Sequence, residues 1–424
     1  MKYRIMSLIA AMAFAVSSFA VSVKTDRTWY LAGEAMTVSV AADDALIAYA
    51  ELCDTRGLAA GVVVSLQSGV GKGIIELPSY LHSGYYVLSV YTRHDSEASQ
   101  SLVAVVNPLH KSADDDIEWV SGDSCWVEAL GDSGNQIHQT SNIKLQKPAS
   151  IREREGHIVR ARVKNVHEGQ TFTSSQISPS LSIVGKQIHF YEGQMVDDST
   201  AVFYTYGIHG KFPLVLSARS YTGESLPIEL ISPFAALLPS RLPRLVFHYQ
   251  RNQVEARSLD MQRHQIAITP AKREAKLGDR SDESAEEGVL LDYDDIVLGT
   301  KPDLTYNLDE YRQFLTVREV LLEYVMCVTK KKINGVQQLI VRKEDALYDS
   351  TLPTLVLIDG MPVFDVERLL NYDARRVHHI NIYAEQYTFG NGIYNGILSF
   401  VTRSGRLTNY PTEPNTQYLV YEFP

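Results

Sequence analysis

The chain predicts a mainly β fold, with tandem β-sandwich domains followed by a small α+β module. Three observations predict it. Val-, Ile- and Thr-rich runs are short, recur at roughly ten-residue spacing and stop at Gly, Asp or Ser, as sandwich strands do. Tyrosine is abundant, 24 against 13 Phe and 3 Trp, and aromatic and β-branched side chains suit half-buried pleated surfaces. Helix signals are confined to a few places. At 424 residues the chain is long enough for several cores.

The elements follow in order. Lys2 and Arg4 precede an apolar run from Ile5 to Ala20, and Ser18 and Ala20 supply the small residues a signal peptidase needs. Residues 1–20 therefore read as a signal peptide, with the mature chain starting at Val21. Residues 21–108 read as a β-sandwich with strands over Ala35–Val40, Ala48–Leu52, Gly61–Leu66, Gly73–Leu77, Tyr85–Tyr91 and Ser101–Val106. Residues 109–240 form a second β-rich unit: Gly156–Val163 alternates apolar and polar residues, and His189–Tyr191, Ala201–Tyr204 and Pro213–Ser217 continue the series. Ser232-Pro233-Phe234 marks its exit, and Pro239 and Pro243 keep the following stretch extended. Residues 241–300 are expected to be an extended or disordered linker, because 271–288 hold almost nothing to bury. In 301–424, Thr316-Val317-Arg318-Glu319 is a capping box opening a helix whose Phe314, Val317, Leu321, Tyr324 and Val328 recur at helical spacing. Lys330–Ile340 predicts a hairpin turning at Asn334-Gly335.

Net charge is −10 with pI ≈ 5.7, which removes the electrostatic footprint expected for nucleic acid or an anionic membrane surface. No apolar run after the leader approaches the roughly 20 residues of a spanning helix. Cys53, Cys125 and Cys327 fall in three different predicted units and read as buried or free thiols, with Cys53–Cys125 the one pairing left open.

Chemical motifs are weak. Gly69-Val70-Gly71-Lys72-Gly73 lacks the first Gly and the final Ser/Thr of a phosphate loop and reads as a Gly-rich hairpin. Gly131-Asp132-Ser133-Gly134 has no matching base and reads as a β-turn. Asp114-Asp115-Asp116 with Glu118, and Asp294-Asp295, lack the ligand spacing of a calcium loop and read as solvated turns. His378 and His379 are strand neighbours expected on opposite faces, so they are not expected to chelate jointly. No catalytic residue, metal or cofactor is predicted.

Three resemblances add to this. Asp26-Arg27-x-x-Tyr30-x-x-Gly33-Glu34, Ala50-Glu51-Leu52, Gly71-x-Gly73, Leu77-Pro78 and Ser83-Gly84-Tyr85-Tyr86-Val87-Leu88 resemble a macroglobulin MG2-type domain; the thioester motif is absent, so protease trapping is not implied. His157-Ile158-Val159-x-Ala161-x-Val163 with Leu181–Gly185, Phe203 and Gly207 resembles a carboxypeptidase-regulatory-like sandwich.

The third resemblance is in the last seventy residues. Leu355-Val356-Leu357-Ile358-Asp359-Gly360 with Pro362, Ile380–Tyr383, Tyr387 to Gly390, and Asn395-Gly396 to Thr402 and Gly405 are similar to the plug of a TonB-dependent outer-membrane receptor. In this resemblance Asp359, Gly360, Pro362, Gly390, Asn395, Gly396, Thr402 and Gly405 carry the architecture, the glycines supplying positive φ at turns. Nineteen residues follow Gly405, and no TonB-contacting box is recognisable, so the expectation is a plug-like module without a barrel. The ending Tyr418–Pro424 is expected at one edge of the plug sheet or as a docking strand.

These resemblances imply a non-catalytic, exported protein of Bacteroidetes-type envelopes. It would lie in the periplasm or at the cell surface, associated with the outer membrane, and its plug-like domain would dock on or occlude a pore or partner formed by another chain. Two alternatives belong to other classes. One is a surface glycan-binding protein using Tyr85, Tyr86, Tyr387 and Tyr394; the other is a hydrolase assembled from scattered Ser, His and Asp residues.

Overall fold

The computed structural model describes residues 21–43, 45–93, 97–109, 117–130, 140–144, 153, 156–274, 289–290, 301–333, 336–342, 352–389, 392–407, 409–411 and 413–424. The predicted signal peptide lies outside them. The fold is mainly β.

In the first unit, Ser22–Thr25, Ala35–Ala41 and Val70–Glu76 form a three-stranded sheet. A larger sheet orders Thr140–Lys144, Glu97–Val106, Gly84–Tyr91, Ile47–Cys53 and Leu58–Ser65, with Trp29–Leu31 parallel to Glu97–Val106. Met36, Val38 and Val40 alternate inward from Ala35–Ala41 and meet Ala48, Ala50, Leu52, Tyr86 and Leu88 from the facing sheet in one buried cluster.

A second small sheet packs on this unit, with Arg244–Tyr249 between Trp126–Leu130 and Ile117–Ser121. Leu245 and Phe247 face Trp29, Leu31, Tyr85 and Val106. A helix, Arg251–Glu274, follows at once. An extended linker was expected over 241–300, and for 244–274 the structure replaces it with this strand and helix. The helix escapes amphipathic detection because two positions of its docking stripe are polar. Val254, Ser258 and Met261 are buried at helical spacing, and Gln265 donates from its side chain to the Gly33 carbonyl at 2.6 Å. Arg257 reaches the buried Glu34 carboxylate at 2.5 Å and lies 3.8 Å over the Trp29 ring.

The second sandwich pairs two sheets. One orders Gln194–Met195, Thr200–Tyr204, Ile158–Val163 and Ile228–Leu230; the other orders His189–Glu192, Ile177–Ile183, Ile208–Ser220 and Ser225–Leu226. The C-terminal strand Gln417–Phe423 pairs antiparallel along Ile208–Ser220, from Gly210↔Phe423 to Leu216↔Gln417. This corrects the expectation that the chain's end forms an edge of the plug-like sheet. Leu419, Tyr421 and Phe423 stand opposite Leu214, Phe212 and Gly210, and same-face pairing carries both aromatics into the sandwich core.

The last module is a five-stranded mixed sheet in the order Leu304–Asn307, Val377–Phe389, Gly392–Thr402, Leu355–Ile358, Met361–Pro362. The capping box forms as expected: Glu319 Oε2 accepts from Thr316 N at 3.0 Å, and the helix Val317–Glu323 buries Val317, Val320 and Leu321. Val328 ends the predicted helical stripe by starting a strand, Val328–Ile333, which pairs with Val336–Val341. The residues at the predicted turn, 334 and 335, lie outside the described residues.

Contacts between units are specific. The connector after Ile228–Leu230 is clamped on the first unit by the buried Glu51, whose carboxylate accepts from Leu237 N at 2.6 Å and Ala236 N at 3.0 Å. Glu153 accepts from Tyr49 at 2.7 Å, lies 3.3 Å from His157, and His157 contacts Tyr421 at 2.6 Å, so one polar node joins the first unit, the second sandwich and the C-terminal strand. The second sandwich meets the last module through Ile188 and Phe190 against Leu355, Leu357, Tyr383 and Ile397.

Candidate functional site

The sequence-predicted motif of the last module gathers around one buried carboxylate. Leu355–Ile358 is buried throughout, and the chain reverses at Asp359 and Gly360, whose φ values are +45° and +76°. A Cβ on Gly360 would meet the Ile183 carbonyl oxygen at 2.7 Å, so this turn also seats the module against the second sandwich. Asp359 Oδ1 accepts from Thr402 N at 2.7 Å, and Oδ2 accepts from Thr402 Oγ1 at 2.6 Å and Leu407 N at 2.8 Å. Gly405 N donates to Thr402 Oγ1 at 3.0 Å. Burial pushes the Asp359 carboxyl up, against three hydrogen bonds that pull it down. Asp359, Gly360, Thr402 and Gly405 thus form a single knot. It joins two strands and a turn and leaves no acidic oxygen facing solvent.

The remaining motif residues sit elsewhere in the same sheet. Pro362 pairs opposite Leu357. Asn395 N donates to the Pro353 carbonyl at 2.8 Å. Gly396, at φ +87°, lies within the strand Gly392–Thr402 beside a register shift between Tyr383 and Gln386, so its positive φ serves a β-bulge and not the expected turn. Gly390 lies outside the described residues.

Other sequence candidates resolve as follows. Gly71 and Gly73 are strand residues, and a Cβ on Gly73 would meet Val64 Cγ2 at 2.8 Å; their role is close sheet approach. Gly131–Gly134, Asp114–Asp116 and Asp294-Asp295 lie outside the described residues, and Glu118 pairs with Arg244 at 3.4 Å on the surface. His378 and His379 were expected on opposite faces, yet their Nδ1 atoms are 2.8 Å apart, because a register shift between Val377 and His379 breaks the alternation. Among the described residues no group of three His, Cys, Asp or Glu side chains is placed to hold a metal. Tyr85 and Tyr86 are buried, which removes two of the four predicted sugar-stacking platforms. Tyr394 donates to Glu192 at 2.7 Å. All three cysteines are free thiols, and burial pushes Cys53 up to about 12.

A cleft of about 320 Å³ opens where the second sandwich meets the last module. Its sandwich wall is the face carrying Ser178, Ser180, Glu192 and Arg219; its module wall includes Gln338 and Phe364. Ser180 stands opposite both Glu192 and Ser217, and Ser178 opposite Arg219, so all share one face. Sequence reasoning missed this site. Ser178, Ser180 and Ser182 alternate with core residues and read as a solvent face, and the one available signal was an Arg and a Glu on flanking strands of the same parity.

No protein-family model matches the chain, and no curated protein matches it. Among solved structures, trypsin-activated alpha-2-macroglobulin from Escherichia coli is similar over 51% of this chain and 16% of that one, at 10% identity and TM-score 0.20. Salmonella alpha-2-macroglobulin reacted with methylamine is similar over 54% of this chain and 14% of that one, at 10% identity and TM-score 0.19. DIP-gamma IG1+IG2 is covered over 99% of its length by 55% of this chain, at 8% identity and TM-score 0.14. This chain spans less than a fifth of the macroglobulins it resembles. Likenesses this loose carry no argument about family or function.

Proposed function

We propose that this chain is a non-catalytic, exported envelope protein. In this reading its plug-like module, which follows residue 300 and ends before the sandwich strand Gln417–Phe423, docks on or occludes a pore or partner formed by another chain at the outer membrane. The two sandwiches act as spacers that hold the module. The first takes in the strand Thr140–Lys144, so the second begins after it and not at 109, and the strand and helix at 244–274 brace the first unit.

The observation that carries the reading is an apolar surface around the short helix of the module. Leu315, Leu322 and Met326 are 65%, 71% and 79% exposed, next to the aromatic group Tyr311, Phe314 and Tyr324. Exposed apolar side chains gathered in this way mark a protein-contact surface more often than a solvated one. No helix among the described residues is long and apolar enough to cross a membrane.

The test is affinity capture with the full tagged chain from detergent-solubilised outer membranes, beside a Leu322→Glu/Met326→Glu double variant. Recovery of an integral β-barrel protein by the wild-type chain and its loss with the variant supports the reading. Equal recovery with both chains, or no barrel protein with either, removes it. Deleting 301–424 is an unsuitable control, because it also removes the strand that completes the second sandwich.

A further inference from the structure

Arg219 presents an electrostatic problem that the fold leaves unsolved. Its guanidinium lies 3.8 Å over the Phe364 ring, and its buried Nε–H has no acceptor among the described residues. Asp365 and Glu413 act on it electrostatically, yet neither comes within the 4 Å of an ion pair. Burial lowers the guanidinium to about 10. A cation withdrawn from water and not paired is costly, and folded proteins retain one chiefly where an anion completes it.

The opposite end of the cleft holds the complementary charge. Glu192 Oε2 accepts from Tyr394, while Oε1 has no partner among the described residues, and burial pushes the carboxyl up. Glu192 and Arg219 flank the central strand, opposite Ser180 and Ser178. Two strand spacings and two residues of rise place their Cα atoms about 12 Å apart. Between them the lining is uncharged and largely apolar, with Leu339, Val356 and Val363, and its polar groups include Gln338 and Ser180, whose hydroxyl bonds Ser217 at 2.6 Å.

We propose that this cleft binds a small ligand through its carboxylate, seated on the Arg219 guanidinium, with an ammonium or hydroxyl of the same ligand donating to Glu192. A planar guanidinium stacked on an aromatic ring offers paired N–H donors in the geometry a carboxylate accepts. The volume and the separation of charges suit a short peptide with free termini or a sugar acid. This site is independent of the docking surface at Leu322 and Met326.

The experiment is isothermal titration of the full chain with trialanine, trialanine C-terminal amide, N-acetyl-trialanine and glucuronate, each to 10 mM, repeated on Arg219→Met. The expected result is binding of trialanine or glucuronate, with the C-terminal amide of trialanine weaker by roughly tenfold or more and no binding to Arg219→Met. Preference for trialanine over its N-acetyl form assigns the Glu192 end to an ammonium; preference for glucuronate assigns the carboxylate to a sugar acid. Absence of binding by every carboxylate probe, or equal binding of acid and amide, overturns the proposal. Thermal unfolding supplies a second readout. If Arg219 serves a ligand, Arg219→Met melts no lower than wild type, because a half-buried unpaired charge has been removed. A clearly lowered midpoint makes Arg219 a structural partner of Glu413 and also overturns the proposal.

Discussion

Truncating Phe423 to Ala tests the assignment of the C-terminal strand. The Phe423 side chain is 2% exposed, its ring lies 4.9 Å from Tyr421 and 6.5 Å from Phe212, and it stands opposite Gly210, which has no side chain to fill the space it leaves. Removing a phenyl ring from such a site costs about 3–5 kcal/mol, because the transfer free energy is lost and the cavity closes only in part. That is a third or more of the stability of an ordinary domain, about 5–15 kcal/mol. Hydrogen exchange localises the loss. Amides in Ile208–Ser220 and Ile158–Val163 should exchange at least about a hundredfold faster in Phe423→Ala. Tryptophan fluorescence supplies an internal control, because Trp29, Trp119 and Trp126 all lie in the first unit or the small sheet packed on it, so their denaturation midpoint should stay in place. A loss below about 1 kcal/mol would contradict a core role for this ring. Loss of protection in Val377–Thr402 with 208–220 unchanged would return the strand to the five-stranded sheet of the last module.

Two further outcomes follow from buried polar groups. Glu51→Gln replaces an acceptor with a donor facing the Ala236 and Leu237 N–H groups, so one of them loses its partner at a cost of about 1–3 kcal/mol; limited proteolysis should then cut within 232–243, and an unchanged digest would count against the clamp. His189 is held neutral by burial, which lowers it from 6.5 to about 4. The folded state therefore binds fewer protons than the unfolded chain, and stability present above pH 6.5 is lost as pH falls toward 4, by about 3 kcal/mol from this group. Wild type should lose about 3 kcal/mol relative to His189→Leu over that window; parallel curves would show that His189 does not titrate as described.

Much of the local structure was legible before any tertiary information. The alternation in Ala35–Ala41 and Ile158–Val163 produced strands with the expected faces inward, the Thr316–Glu319 capping box opened a helix, and Asp359-Gly360 reversed the chain with positive φ. The helix at Arg251–Glu274 was not legible, since Ser258 and Gln265 occupy positions of its docking stripe and composition alone read as linker. The His378–His379 contact was not legible either, because a β-bulge shifts parity without leaving a mark in a short polar stretch.

What the sequence by itself determined about this protein is periodicity: which residues can form strands, which face of each is apolar, and where turns must fall. The tertiary structure alone decided which faces meet. Tyr421 and Phe423 would suit the interior of either the last module's five-stranded sheet or the second sandwich, and only the open edge of Ile208–Ser220, with Gly210 and Phe212 in register, selects one. Ser180 and Ser182 alternate as a solvated face would, yet the fold buries both and sets Arg219 and Glu192 on the wall of the cleft. The physical reason is that a strand's pattern is carried by neighbours two residues apart, whereas the choice of partner depends on complementarity between segments hundreds of residues apart.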